Sequence, residues 1–249
     1  VKLSDDGKDL YRYARQMIDL QKKIEERFET GKEESKHLIT IAASTIPAQY
    51  ILPKILMKFN ERYPKEQVKL LETDSSQVVT QIIDHMVDVG FTGTVLEKKH
   101  CKYIPFYKDE LVVITPNTEK YQKLLEDIPD DISWIGGEHL IMREEGSGTR
   151  KEAGKQLRAA GINLDKLKII ASIENQETIK KSVKQGMGIS VISRLAAEDE
   201  VKYGDLLAFS IPKADQGRDI NLVYNKNYQM SKSTERFVKI VKEVYGIEE

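Results

Sequence analysis

Cysteine is nearly absent from these 249 residues: Cys101 stands alone. One thiol forms no internal disulfide and builds no cysteine-based zinc site. A solitary cysteine is by default a small, buried apolar residue. Histidine is scarce too. His37, His85, His100 and His139 are scattered without an HExxH spacing, so no metal or other cofactor is expected. No apolar run approaches the ~20 residues that cross a bilayer, and nothing has the layout of a signal peptide. The expected compartment is the cytoplasm, with no membrane partner. Net charge is small as well, −1 from 39 basic and 40 acidic residues. No overall field therefore draws in nucleic acid or an anionic membrane, although a local patch would survive that average. The chain begins at Val1 and not at methionine, which suggests that something upstream is missing.

What is present is the composition of a soluble protein, 40 % apolar and 32 % charged. The length suits one large domain or two of about 100 to 150 residues. Residues 4 to 30 read as a helix. Ser4 is a candidate N-cap, and Asp5 and Asp6 suit the positive end of the helix dipole. Leu10, Ala14, Met17, Ile24 and Phe28, with Gln21 in the remaining place, step by fours and threes along a narrow coiled-coil seam. The alternative is an amphipathic helix packed on its own domain. A dimerising helix is favoured because the polar stretch TGKEESKH follows it instead of a tight turn. Nine basic residues balance nine acids over residues 1 to 36, so this helix is not a DNA-reading arm.

Strand and helix then alternate. HLITIAAS and QVKLLET read as strands, PAQYILPKILMKFNE and SSQVVTQIIDHM as helices, and VDVGFTG as a third strand. Pro47 suits a first helical turn, and Pro53 is expected to kink that helix or to lie early in it. CKYIPFYKDELVVITP continues as strand. The second half repeats the pattern up to a final amphipathic helix, SKSTERFVKIVKEVYG. Such alternation predicts an α/β fold with a largely parallel sheet.

One internal echo bears on function. HLITIAAST and HLIMREEGSGT each carry a strand into a serine-containing turn at a helix start. Ligands of parallel α/β sheets bind at the carboxyl ends of strands. Helix N-termini hold unpaired N–H groups and about half a positive charge, and so attract anions. Each end contributes roughly 0.3 to 2 kcal/mol toward a bound negative group. Capping explains Ser44, Thr45, Ser147 and Thr149 equally well turn by turn. Thr92 with Gly93, and Asn175 with Gln176, are further polar strand ends that ordinary turns would also explain. Four such ends in one topology favour a shared cleft.

Catalytic readings fail on spacing. GxxxxGK[ST] is absent, and Glu145 stands where GxSxG needs glycine before Ser147. Val191 occupies the third-glycine place after Gly186 and Gly188. Glu144 and Glu145 read as solvated acids near a helix start, so no enzyme is expected.

In this order and spacing the segments resemble the LysR-type transcriptional regulators across essentially the whole chain. LSDDGKDLYRYARQMIDL is similar to the end of that family's winged helix-turn-helix and its linker helix. LITIAASTIPAQYILPKILMKFNERYP, VDVGFTG, REEGSGTR and SVKQGMGISVIS are similar to segments of its effector-binding domain. The resemblance implies a two-lobed, type 2 periplasmic-binding-protein-like α/β fold behind an N-terminal linker helix. It implies linker residues 1–36, a first lobe of 38–112 plus 211–249 and a second lobe of 113–210. By position it assigns Ser44, Thr45 and Thr92 to the first lobe's share of an effector pocket. It assigns Ser147, Gly148, Thr149, Asn175 and Gln176 to the second lobe's share. Arg143 either neutralises an acidic effector or pairs with Glu144 or Glu145. The implied partners are a small anionic or carboxylate effector, further copies in a homodimer or homotetramer, and DNA only through the missing N-terminal domain. A transporter's solute-binding protein would share the fold, but a heptad helix has no role there.

Overall fold

A computed structural model describes residues 4–28, 38–128, 131–212 and 217–247. Helix α1, Asp5–Phe28, opens with the Gly7 amide donating to Ser4 Oγ at 3.1 Å. Three of its seam positions are open among the described residues: Leu10, Met17 and Ile24 are 71 %, 72 % and 51 % exposed. At these positions the helix does not pack on the described part of the domain. The stretch TGKEESKH lies outside the described residues.

The remaining chain builds two mixed five-stranded sheets rather than one largely parallel sheet. The first comprises β1 (Leu38–Ala43), β2 (Gln67–Glu72), β3 (Val89–Thr92), β4 (Cys101–Asp109) and β10 (Arg218–Asn225), in the order β2-β1-β3-β10-β4. The second comprises β5 (Leu111–Pro116), β6 (His139–Arg143), β7 (Lys168–Ile173), β8 (Ile189–Ser193) and β9 (Leu206–Ser210), in the order β7-β6-β8-β5-β9. In each sheet four strands run in one direction, three of them paired in parallel. The strand entering from the other sheet is antiparallel: β10 against β3 and β4, and β5 against β8 and β9. The chain passes between sheets twice, at Glu110 and between β9 and β10.

Helices α3 (Ser75–Ile83), α5 (Gly148–Ala159), α6 (Gln176–Lys184), α7 (Arg194–Lys202) and α8 (Lys232–Tyr245) flank the sheets, with α2 (Leu52–Arg62) following β1 and α4 (Glu119–Asp127) following β5. Both sheet faces are covered, which is why LVVITP is buried at every position instead of alternating. Successive β5 side chains still point oppositely. Val112 and Ile114 join a core with Ile41, Phe91 and Phe237, while Leu111 and Val113 join one with Ile135, Leu157 and Phe209.

The PAQYILPK segment differs from a simple helix. Pro47–Ile51 winds as a π turn before α2 begins, and Pro53 lies in the first turn of α2. Pro53 has no amide hydrogen for an interior helical bond, and its ring crowds the carbonyl four residues back. The wider turn, closed by the Leu52 amide on the Pro47 carbonyl, absorbs both problems. Cys101 is 3 % exposed, and burial pushes its thiol up to about 11.

Candidate functional site

Between the sheets lies a cavity of about 480 Å³. One wall is built by Ser44, Thr45, Ile46 and Gln49 after β1, by Glu72 to Ser75 at the end of β2 and beyond it, and by Gly93 after β3. The opposite wall is built by Arg143, Glu144 and Gly146 to Thr149 after β6, with Glu174 to Gln176 after β7. Arg218, first residue of β10, completes it. These are the carboxyl ends of the parallel strands, where the following helices present their N-termini.

Local chemistry explains each turn. Ser147 caps α5, accepting the Arg150 amide at 3.4 Å, and Asn175 caps α6, accepting the Thr178 amide at 2.9 Å. Asp74 caps α3 by accepting the Ser76 and Gln77 amides at 2.8 and 3.0 Å. Ser44 and Thr45 are different. They lead into the π turn, whose own first position, Ile46, has no side-chain cap, and the Ser44 carbonyl accepts the Ala48 amide at 3.0 Å. The Ser44 amide donates to the Phe91 carbonyl at 2.9 Å, fixing the turn against β3.

The structure gathers eight of the nine expected site residues at this cavity: Ser44, Thr45, Arg143, Ser147, Gly148, Thr149, Asn175 and Gln176. Thr92 is not among them. It is fully buried at the end of β3, where its hydroxyl donates to the Thr94 carbonyl at 2.9 Å, and Gly93 faces the cavity instead. At Gly148 the walls approach closely. A methyl there would lie 3.0 Å from Thr94 Oγ1 and 3.4 Å from Ser75 Oγ across the cleft.

Two arginines bring charge. Arg143, 6 % exposed, donates from Nε and Nη2 to Glu144 at 2.8 and 2.9 Å. Arg218, also 6 % exposed, is held by Asp109 and donates from Nη1 to Thr149 Oγ1 at 3.1 Å. Gln176 is 2 % exposed, and neither amide atom has a partner among the described residues. An unpaired buried polar group costs about 1 to 3 kcal/mol. On the flank, burial raises the Tyr50 hydroxyl pKa. Burial pulls the Lys180 ammonium down, but Glu177 and Glu200, each 2.7 Å away, hold it above its ordinary value.

Sequence reasoning missed Arg218, Gln49, Glu72 and Asp74. Asp74 had a signal, since an aspartate preceding SSQVVTQII is a natural cap. Arg218 had none, because its partner is distant in the chain. Among the described residues no group of three or more acids, histidines or cysteines is arranged to hold a metal. Nor is any helix among them long and apolar enough to cross a membrane.

Comparison with known proteins agrees with this fold. The chain is 28 % identical over 236 residues to the helix-turn-helix transcriptional regulator YeiE of Escherichia coli, covering 95 % of this chain and 77 % of that protein. It is 25 % identical to the regulator CysL of Bacillus subtilis, covering 96 % and 78 %. Among solved structures, the regulatory domain of Synechocystis CcmR in complex with 2-PG superposes with a TM-score of 0.74 at 24 % identity, covering 85 % of this chain and 98 % of that one. The effector-binding domain of QuiR in complex with shikimate gives the same score and coverage at 16 % identity. The LysR substrate binding domain family matches residues 32–246, and to that family, whose members serve transcriptional regulators, the chain belongs.

Proposed function

We propose that the cavity between the sheets binds a small metabolite bearing an anionic group, and that its occupancy changes how the DNA-binding domains of a dimeric or tetrameric cytoplasmic regulator are held. The lobes of this reading meet at Glu110 and at the passage from β9 to β10. Site residues are Ser44, Thr45, Arg143, Ser147, Gly148, Thr149, Asn175 and Gln176, joined by Arg218. One observation carries the reading. The Ser44–Thr45 turn of one wall and the α5 N-terminus of the other face a single cavity that is also lined by Gln176, whose buried amide has no partner among the described residues.

Small ligands in the fold neighbours CcmR and QuiR support a small ligand here. The exposed seam of α1 supports assembly, because a bare heptad stripe is covered by a second copy. Regulation requires that the ligand favour one arrangement of subunits over another, since equal affinity for both shifts nothing. The cleft binds and does not catalyse in this reading: no histidine among the described residues lines it, and the Ser147 hydroxyl accepts the Arg150 amide while its proton is left to donate to a ligand.

The test is thermal stabilisation by a panel of sulfate, phosphate, 2-PG, shikimate and simple carboxylates, with Ser44→Ala and Ser147→Ala alongside. A ligand at a hundred times its Kd stabilises by about 2.7 kcal/mol. The expected result is a shift with one class of anion, lost in both variants. If nothing on the panel shifts wild type, or the variants respond like wild type, the anion reading fails.

A further inference from the structure

The buried ion pair of Asp109 and Arg218 stands where the chain passes between sheets. Asp109 is the last residue of β4 and Arg218 the first of β10, and they face each other in the ladder of the first sheet. Their side chains are 0 % and 5 % exposed. Both Nε and Nη2 of Arg218 reach Asp109 Oδ2, at 2.8 and 2.7 Å. The other ends of the pair leave the first sheet. Asp109 Oδ1 accepts Ser193 Oγ, on β8, at 2.5 Å, and Arg218 Nη1 donates to Thr149 Oγ1, on α5, at 3.1 Å. Leu111, two residues after Asp109, pairs with Ser193 in the second sheet. One charge pair thus sends two hydrogen bonds across the crossover at Glu110, to two different elements of the second lobe.

The surroundings are shaped to this guanidinium. Gly93 lies over it, and a methyl there would stand 3.2 Å from both Cζ and Nη1. Arg218 also lines the cavity, and Thr149 lies in the first turn of α5 beside the Ser147 cap. The residue that ties the lobes therefore also touches the space a ligand enters.

We propose that Asp109 and Arg218 form an interlobe latch, with Ser193 and Thr149 as its catches, which holds the lobes at their resting angle whether or not a ligand is bound. Arg218 is then a positioning residue. It presents Thr149 Oγ1 and the α5 N-terminus to the cleft from the hinge side, and an anion at that end draws on a guanidinium already anchored at the hinge. The latch goes beyond the binding reading and is tested without any ligand.

Spin labels at Gln77→Cys and Lys151→Cys, both exposed positions beside opposite walls, report the lobe separation. Cys101 is buried with a raised thiol pKa and stays unlabelled. The decisive variant is Thr149→Val with Ser193→Ala, which removes only the catches and leaves the ion pair whole, so that folding is retained. A longer mean distance and a broader distribution in ligand-free protein are expected, with part of the change reversed by Ser193→Thr in place of Ser193→Ala, because one of the two catches is then restored. Glu110→Gln is the comparison, because Glu110 makes a solvent-exposed pair with Arg194 at the same crossover. An unchanged distribution in the catch variant overturns the latch. So does a Glu110→Gln shift as large as that of the catch variant, because the crossover as a whole, and not the buried pair, would then set the angle. Loss of anion binding without a change in distance would count against the latch but leave the binding reading intact.

Discussion

The two arginines of the cleft are equally buried, yet they are held in opposite ways. Arg143 meets its carboxylate in the next residue, Glu144, at the end of a strand on the cleft wall. Arg218 meets Asp109 across 109 positions of sequence, inside the first sheet and beside the crossover. The first pair is local. It neutralises charge at the β6–α5 turn whatever the rest of the chain does. The second forms within the first sheet, but its hydrogen bonds to Ser193 on β8 and Thr149 on α5 exist only when the second lobe is in place. Similar chemistry thus serves a turn in one case and the joining of two lobes in the other.

Breaking the long-range pair from one side has the largest expected effect. Asp109→Asn leaves a buried guanidinium without its counter-ion and should cost about 3 to 5 kcal/mol, read as a lower midpoint in guanidinium chloride unfolding. Replacing both partners, Asp109→Leu with Arg218→Met, should recover most of that loss, because a buried pair and a packed apolar pair are often close in energy. A double variant as unstable as the single one would mean that the site is not simply an ion pair to be matched.

Ser147→Ala comes next. It removes the α5 cap, whose 3.4 Å bond is long, so a loss of about 0.5 to 1 kcal/mol in chemical unfolding is expected. Its larger effect should be on the ligand-induced thermal shift. Glu144→Gln tests the local pair. Glu144 remains partly solvated, and a change of ~1 kcal/mol or less is expected by the same unfolding assay. A penalty matching that of Asp109→Asn would erase the distinction between the pairs.

The smallest effect concerns pH. Hydrogen bonding from Arg194 holds the Glu110 carboxyl below its ordinary pKa. A depressed folded pKa makes the contribution complete above the unfolded value and removes it as pH falls through the folded one. Wild type and Glu110→Gln should therefore differ slightly at neutral pH and converge on acidification below the ordinary carboxylate range. Divergence toward low pH would reverse the sign.

Much of this fold was legible because its signals are local. HLITIAAS, QVKLLET and VDVGFTG carry strand composition, each leads into a polar turn, and the parallel strands place those turns at one end of a sheet. Eight expected site residues met at one cavity for that reason. Thr92 does not line the cavity, and period-2 alternation shows that neighbours face opposite sides, but not which of Thr92 and Gly93 faces a cleft that other strands define. The π turn before Pro53 was half visible: the proline signalled a broken helical bond, while the form of the repair depended on packing.

By itself the sequence determined the alternation of strands and helices, the seam of α1, the solitary thiol at Cys101 and the hydroxyl-rich turns, since each follows from residues within a turn or two of one another. Only the tertiary structure decided that the strands divide into two mixed sheets, that Gly148 marks the approach of the walls, and that Arg218 faces Asp109. Those outcomes depend on contacts between segments far apart in the chain, where composition and periodicity carry no information about which side chains meet.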